Sequence, residues 1–306
     1  MTTPVSSNVW KTLTCSYCGK GLNQTVAGAD CPGCGLQYQY TGAGALDLRL
    51  KKARKYDLEV EIGTPPFSDD SLQIEPMKSA TKPSVDFGDM GVPTHMTKEL
   101  MSYFPKAKSQ SSLMLDLACG DAVHEGICER AGFEWVGADY DDASNSSVLA
   151  DAHALPFEDN TFECILSVAA VHLFRYPLVM MKEAHRVLKP GGLFLGTVAF
   201  LEPFHDGGFY HHTHLGVMNS LRFGGFKVEK LAPSEEWSAL TAQSSMGLFP
   251  KMPTFLSRSI VYPVQLLHKA WWQVGSMITR NPNATKNMRI RNNTAAFSFV
   301  ASKAGA

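Results

Sequence analysis

From Leu113 onward the chain repeats one unit: a short apolar run, a turn, then an amphipathic run. Apolar runs without polar alternation fit strands covered on both faces. The amphipathic runs between them supply the cover, so the repeat predicts a parallel sheet flanked by helices. The candidate strands are residues 113–117, 134–138, 164–168, 192–199, 226–231 and 295–302. A helix is predicted over 178–188, where Leu178, Met181, His185 and Leu188 share a face, and Lys189-Pro190-Gly191-Gly192 should stop it.

Upstream of this body the composition changes twice. Residues 1–50 are rich in cysteine and glycine. Residues 51–112 form a polar connector whose Thr64-Pro65-Pro66, Lys82-Pro83 and Gly91-Val92-Pro93 disfavour regular structure, until a short helical pattern at 94–103. The head holds two knuckles, Cys15-Ser16-Tyr17-Cys18-Gly19 and Cys31-Pro32-Gly33-Cys34-Gly35, about a dozen residues apart, a spacing suited to tetrahedral thiolate coordination. A glycine after each second cysteine lets the backbone turn back so that its amides face the sulfurs. Cys15, Cys18, Cys31 and Cys34 are therefore the expected metal ligands and zinc the expected ion; four protein ligands close the site, which points to a structural role. A redox dithiol is the alternative chemistry for the same residues. Cys119, Cys128 and Cys164 read as small apolar fillers.

Lysine and arginine number 28 against 29 aspartates and glutamates, a formal net charge of -1, so the chain as a whole exerts no pull on nucleic acid. Lys51, Lys52, Arg54 and Lys55 nevertheless form a local basic stripe. The opening residues lack a charged segment followed by an apolar one; no secretory signal is read, and a cytoplasmic location is expected. The greasiest stretch, residues 255–278, contains Arg258, Pro263, His268 and Lys269, so no membrane-spanning helix is expected there.

Leu115-Asp116-Leu117-Ala118-Cys119-Gly120-Asp121-Ala122 lies between a strand and a helical stretch, where small residues let a ligand approach the backbone. Gly137-Ala138-Asp139-Tyr140 then ends the second strand, placing an acid about twenty residues beyond the loop, where a carboxylate can meet ribose hydroxyls. Ala150-Asp151-Ala152-His153-Ala154-Leu155-Pro156-Phe157, Asp159-Asn160-Thr161-Phe162-Glu163 and Arg186-Val187-Leu188-Lys189-Pro190-Gly191-Gly192 follow in order. Together these segments resemble the motifs of class I S-adenosylmethionine-dependent methyltransferases of the type 11-like domain, over residues 113–199. Ala118 and Ala122 depart from the pattern, standing where the family usually has glycine.

The resemblance implies an α/β fold: a doubly wound, Rossmann-like seven-stranded sheet whose sixth and seventh strands close as a hairpin. Residues 1–50 would form a small zinc ribbon, 51–112 a linker and lead-in helix, and 113–306 the methyltransferase domain with an insertion at 232–294. S-adenosylmethionine is the implied cofactor, with Asp139 on the ribose (Asp141 as second choice) and Asp151 on the adenine amino group. Asp116, Ala118, Gly120, Tyr140, Ala152 and Ser167 complete the implied cofactor-binding set.

A methyl group on sulfonium is already activated, so such a protein mainly aligns nucleophile, carbon and sulfur and excludes water. A hydroxyl acceptor also gains from a base, usually histidine near neutral pH. His205, His211, His212 and His214 crowd the segment leaving the carboxyl end of the strand after Gly191-Gly192, and His172 follows the preceding strand. These five are the catalytic candidates; backbone bonding in loop and cap, or plain burial for His172, is the alternative. A second divalent ion on His205, Asp206 and His211 or His214 is a further alternative.

In the insertion, Ile260, Val264, Leu267, Trp271, Val274 and Ile278 fall on one helical stripe with Pro263 near its start. The stripe is expected to pack on the domain or on a second subunit, or else to lie in a membrane interface with Trp271 and Trp272 at headgroup level. The leading expectation is O-methylation of a small-molecule or glycan hydroxyl by in-line transfer. One alternative is an RNA base methyltransferase, because ribbon, connector and body are arranged as in the ribosomal RNA guanine-N1 enzymes. The other is a non-catalytic adaptor whose pocket Ala118 and Ala122 have closed. These patterns specify no oligomeric state.

Overall fold

The computed structural model describes residues 5–60, 74–203, 207–279 and 286–305. In chain order its elements are α1 (Ser7–Trp10), β1 (Asn23–Gln24), β2 (Gly28–Asp30), β3 (Gln37–Tyr40), β4 (Leu46–Asp47), α2 (Lys98–Met101), β5 (Leu113–Leu117) and α3 (Glu125–Arg130). There follow β6 (Glu134–Asp139), β7 (Val148–Leu149), β8 (Phe162–Ser167), α4 (Pro177–Val187), β9 (Leu188–Ala199), α5 (His214–Gly224), β10 (Lys227–Pro233), α6 (Ala239–Ala242), α7 (Thr254–Thr279), α8 (Lys286–Asn292) and β11 (Ala296–Ser302).

Strand β5 shows why the fold is layered. All five of its residues are buried. Because side chains alternate across a strand, Leu113, Leu115 and Leu117 enter one core with Phe194 and Met181, while Met114 enters the other with Trp135 and Phe104. Helices α4 and α5 cover the first face, and α2 and α3 the second, giving the doubly wound arrangement. The strands of the body run in the order β7-β6-β5-β8-β9-β11-β10. Strand β11 is antiparallel to both β9 and β10, so the closing hairpin forms although its strands are far apart in sequence. Strand β7 is missing from the expected set because two residues are too few to show a period.

Helix α4 stops at Val187, and the chain passes directly into β9. Lys189-Pro190-Gly191-Gly192 thus ends the helix by turning into a strand, with Gly191 in the left-handed region (φ 73) and a register shift against β8.

The amino-terminal head is not hung beside this sheet. Its strands β1 to β4 form an antiparallel meander, and β4 pairs in parallel with β7, so one sheet continues through eleven strands. Leu13 also bridges to Phe157. A short ribbon gains an apolar wall this way that it could not build alone.

The insertion carries α6, a π-helical turn at Gln243–Leu248, α7 and α8. Helix α7 begins earlier than expected, so Pro263 lies inside it and deletes one backbone hydrogen bond. Its inward side is the polar one. Gln265 Nε2 donates to Thr241 Oγ1 (3.0 Å), Ser244 Oγ to the Ser257 carbonyl (2.9 Å), and Ser245 and Ser257 share a hydrogen bond of 2.7 Å. The expected apolar stripe faces away from the rest of the chain, with Leu267, Trp271 and Ile278 each more than 70% exposed. Packing of the stripe on its own domain is therefore corrected: hydrogen bonding of the serine and glutamine face to α6 and the π turn fixes which side points in.

Candidate functional site

After β5 the chain must reverse while leaving its amides accessible. Ala118 (φ 59), Gly120 (φ 51) and Ala122 (φ 59) all take left-handed conformations. This is the reason for glycine at such positions, since a side chain there costs about 1–2 kcal/mol. The Ala118 amide donates to the Ala138 carbonyl (2.8 Å), the Gly120 amide to Asp139 Oδ2 (2.8 Å), and the Asn145 amide to the Gly120 carbonyl (2.9 Å). A Cβ on Gly120 would meet nothing within 4 Å, so the turn is open on that side. Asp139 Oδ1 also accepts the Asp141 amide (2.9 Å), which assigns Asp141 to shaping the turn.

Asp116 is buried beneath the turn, accepting from Trp135 Nε1 (3.2 Å) with His124 Nδ1 at 3.5 Å. It anchors rather than reaches out. Ser167, at the carboxyl end of β8, is buried with no hydrogen-bond partner for Oγ among the described residues. Tyr140 is exposed, its ring 5.5 Å from the Arg49 guanidinium, which also donates to the Tyr140 carbonyl (3.0 Å).

Asp151 sits just beyond β7, half-buried beside the buried Ala152. Burial pushes its carboxyl up, but the His153 ring (2.6 Å) and amide (2.9 Å) outweigh that and leave it lower than usual, hence ionised. Both of these bonds fall on Oδ1. The following Leu155-Pro156-Phe157 is clamped by Arg186, which donates to the Leu155 (2.8 Å) and Phe157 (2.7 Å) carbonyls and to the buried Glu183 (2.8 Å). Glu183 in turn accepts the Leu155 amide (2.9 Å). Two motifs distant in sequence are therefore one hydrogen-bonded unit that fixes the loop carrying Asp151.

A cavity of about 240 Å³ opens at the carboxyl ends of β8 and β9 and along β11. His95, Ala169, Thr197, Glu202, Glu236 and Arg258 are among the residues lining it. Glu202 accepts from Trp237 Nε1 (2.7 Å), and His95 and Ala169 are left-handed (φ 62 and 52), strain of the kind that gathers at functional sites. Sequence reading missed His95, Glu202 and Glu236; they come from the connector and two loops, and no spacing links them.

Of the five predicted histidines, the four within the described residues, His172, His211, His212 and His214, do not line this cavity. His211 is exposed and bonds through Nδ1 to the Phe200 carbonyl (2.7 Å). His212 is buried, and burial lowers its pKa against a bond to the Val171 carbonyl; its Nε2 has no partner among the described residues. His214 packs near Phe297 (6.1 Å between rings) and is also lowered by burial. His172 is buried, its carbonyl accepting the Phe209 amide (2.8 Å). His205 and Asp206 lie outside the described residues.

In the head, the four sulfurs of Cys15, Cys18, Cys31 and Cys34 lie within 4.8 Å of one another, with Cys15–Cys34 at 3.6 Å and Cys18–Cys31 at 3.3 Å. Tetrahedral zinc with Zn–S of about 2.3 Å sets sulfurs about 3.8 Å apart, so the cluster fits such an ion. Gly19 (φ 69) and Gly35 (φ 71) close matching turns, their amides donating to the Cys15 and Cys31 carbonyls at 2.9 Å each. Three of the four residues of the basic stripe have local partners: Lys51 pairs with Asp47 (2.8 Å), Lys52 stands over the Tyr17 ring (5.3 Å), and Arg54 bonds the Ser16 carbonyl.

Comparison with known proteins matches residues 115–196 to the family described as "Methyltransferase domain". A fatty-acid O-methyltransferase of Mycolicibacterium smegmatis is 29% identical over 132 residues, 36% of this chain and 48% of the relative. A mitochondrial arginine hydroxylase of Homo sapiens is 32% identical over 100 residues, 28% of each chain. A solved S-adenosylmethionine-dependent methyltransferase from Mesorhizobium loti shares 14% identity over 67% of this chain and 95% of that one, with a TM-score of 0.42. The chain thus spans less than half the length of these curated relatives.

Proposed function

We propose that this chain, in which a class I methyltransferase domain continues a cysteine-bearing ribbon, is an S-adenosylmethionine-dependent methyltransferase acting on a hydroxyl of a small-molecule or glycan acceptor. The observation that carries the reading is the Gly120–Asp139 turn standing with the Asp151 loop at the carboxyl ends of adjoining strands, the same edge of the parallel sheet at which the cavity lined by Thr197 and Glu202 opens. When bound, S-adenosylmethionine supplies an activated methyl group.

Asp139 would hold the ribose hydroxyls and Asp151 the adenine amino group, while Gly120 and Ala118 offer backbone at close range. Asp116 supports the turn from below. Ala169 and Thr197 border the cavity where the acceptor would lie, and His95 and Glu236 are the groups placed there to take its proton. The likeness to the fatty-acid O-methyltransferase of Mycolicibacterium smegmatis supports oxygen as the methylated atom. We further propose a structural zinc ion on Cys15, Cys18, Cys31 and Cys34.

The test is calorimetric titration of S-adenosylmethionine into zinc-loaded protein. Asp139→Ala and Asp151→Asn should each weaken binding about 10- to 100-fold, the loss of a charge-assisted hydrogen bond. An absence of any binding to the unaltered chain would sink the proposal and favour an adaptor.

A further inference from the structure

The inward edge of α7 borders a second concavity, a groove of about 500 Å³ bounded on its other sides by α8 and by the residues between β10 and α6. Arg258, Tyr262, Gln265 and Lys269 recur on α7 at steps of four, three and four, so one stripe of the helix lines it. The lining is polar throughout apart from Ile290. The groove runs into the cavity at the ends of β8 and β9, because Ser234, Glu236 and Arg258 line both.

The charges in this groove do not cancel. Arg289 of α8 is largely buried, its side chain 14% exposed, and its guanidinium has Glu235 at 3.7 Å, too long for a hydrogen bond. Five N–H donors on a buried cation therefore lack a close acceptor among the described residues. Glu235 is also shared with Lys286 (3.4 Å). Arg258 and Lys269 make no ion pair among the described residues. Burial, and after it the Arg289 charge, holds His268 below its usual value, so that ring adds a hydrogen-bonding nitrogen without a charge near pH 7. Beyond Glu236 the sequence has no aspartate or glutamate, so α7 and α8 bring only cations to the groove. Arg258, Lys269, Arg289 and Lys286 set against Glu235 and Glu236 leave two positive charges in excess. A phosphate group carries about −1.5 to −2 at pH 7 and offers three strong acceptor oxygens, which answers both the charge and the idle donors. A carboxylate, with one charge and two oxygens, would leave half of that excess standing.

We propose that this groove binds a phosphate group through Arg289, Lys269 and Arg258. The phosphate belongs to the acceptor, whose hydroxyl lies in the adjoining cavity; this last step rests on the methyltransferase reading above.

The experiment is calorimetric titration of the full zinc-loaded chain with inorganic phosphate, glycerol phosphate and glycerol in chloride buffer. Glycerol phosphate should bind at least about ten-fold more tightly than glycerol, more tightly than inorganic phosphate, and less tightly as salt rises. Arg289→Gln should weaken that binding about ten-fold or more, the scale of a hydrogen bond between charged groups. Lys269→Glu reverses a charge on an exposed side chain and should weaken it about ten-fold, with circular dichroism and S-adenosylmethionine affinity as in the unaltered chain. It tests the contact even where Arg289→Gln disturbs the fold. Failure of both phosphates to bind overturns the proposal, and so does binding that neither variant weakens. Inorganic phosphate binding as tightly as glycerol phosphate overturns the acceptor step, because the occupant would then be a free ion. Glycerol phosphate binding without S-adenosylmethionine binding leaves the groove standing and removes the methyltransferase reading. The reverse pattern removes the groove alone, so the two failures are distinguishable.

Discussion

Individual residues in the cofactor turn carry a cost that the body absorbs. Ala118 and Ala122 hold φ near +59 although glycine would do so freely. Replacing Ala122 by glycine removes about 1–2 kcal/mol of strain and adds about 0.5–1 kcal/mol of unfolded-state entropy. Stability to denaturant should therefore stay level or rise by up to about 1 kcal/mol, where the same change in a helix interior costs about that much. A clear loss would mean the methyl has a packing role. The histidines give a second expectation. Burial lowers His185, His212 and His214 below the usual 6.5. An unfolded chain takes up protons as pH falls through 6.5 while the folded one resists, so stability drops from that point down towards the folded values. Urea midpoints at about pH 5 should lie below those at about pH 7.5, and His212→Gln should flatten the difference.

Among the elements, β9 leaves no room at one glycine. A Cβ on Gly196 would strike the Ser167 carbonyl and the Phe299 ring, which belong to the neighbouring strands β8 and β11. Gly196→Ala should destabilise by about 2–3 kcal/mol through overpacking, read as a lowered denaturant midpoint with an unchanged slope. Most elements of the body were legible in the sequence, because β5, β8 and α4 bury whole runs or a whole face and so imprint a period. Two were not. Strand β7 is too short to have a period, and α7 has the expected stripe but turns it outward, since orientation depends on Gln265 and Ser257 finding partners in another segment.

For the whole molecule, the ribbon is bonded to the loops on which the proposed cofactor site stands. Strand β4 pairs with β7 directly before Asp151, the Thr14 amide donates to the Pro156 carbonyl (2.9 Å) directly after it, and Arg49 bonds Tyr140 beside Asp139. Removing metal with a chelator should therefore weaken S-adenosylmethionine binding by about ten-fold, the usual scale of coupling between sites. Arg49→Ala should weaken it by about two- to three-fold with the metal still bound, since the contact is half-exposed. Unchanged affinity after metal loss would show that ribbon and site fold independently.

The sequence by itself determined the sheet, the four-cysteine cluster and the order of the loop motifs, because each is a local pattern of burial period or ligand spacing. Only the tertiary structure decided that Arg186 locks the Leu155–Phe157 segment, that the ribbon extends the sheet, and that the cavity at the ends of β8 and β9 gathers His95, Glu202 and Glu236. Those depend on contacts between segments far apart in the chain, where no spacing rule operates and the geometry of packing alone chooses which groups meet.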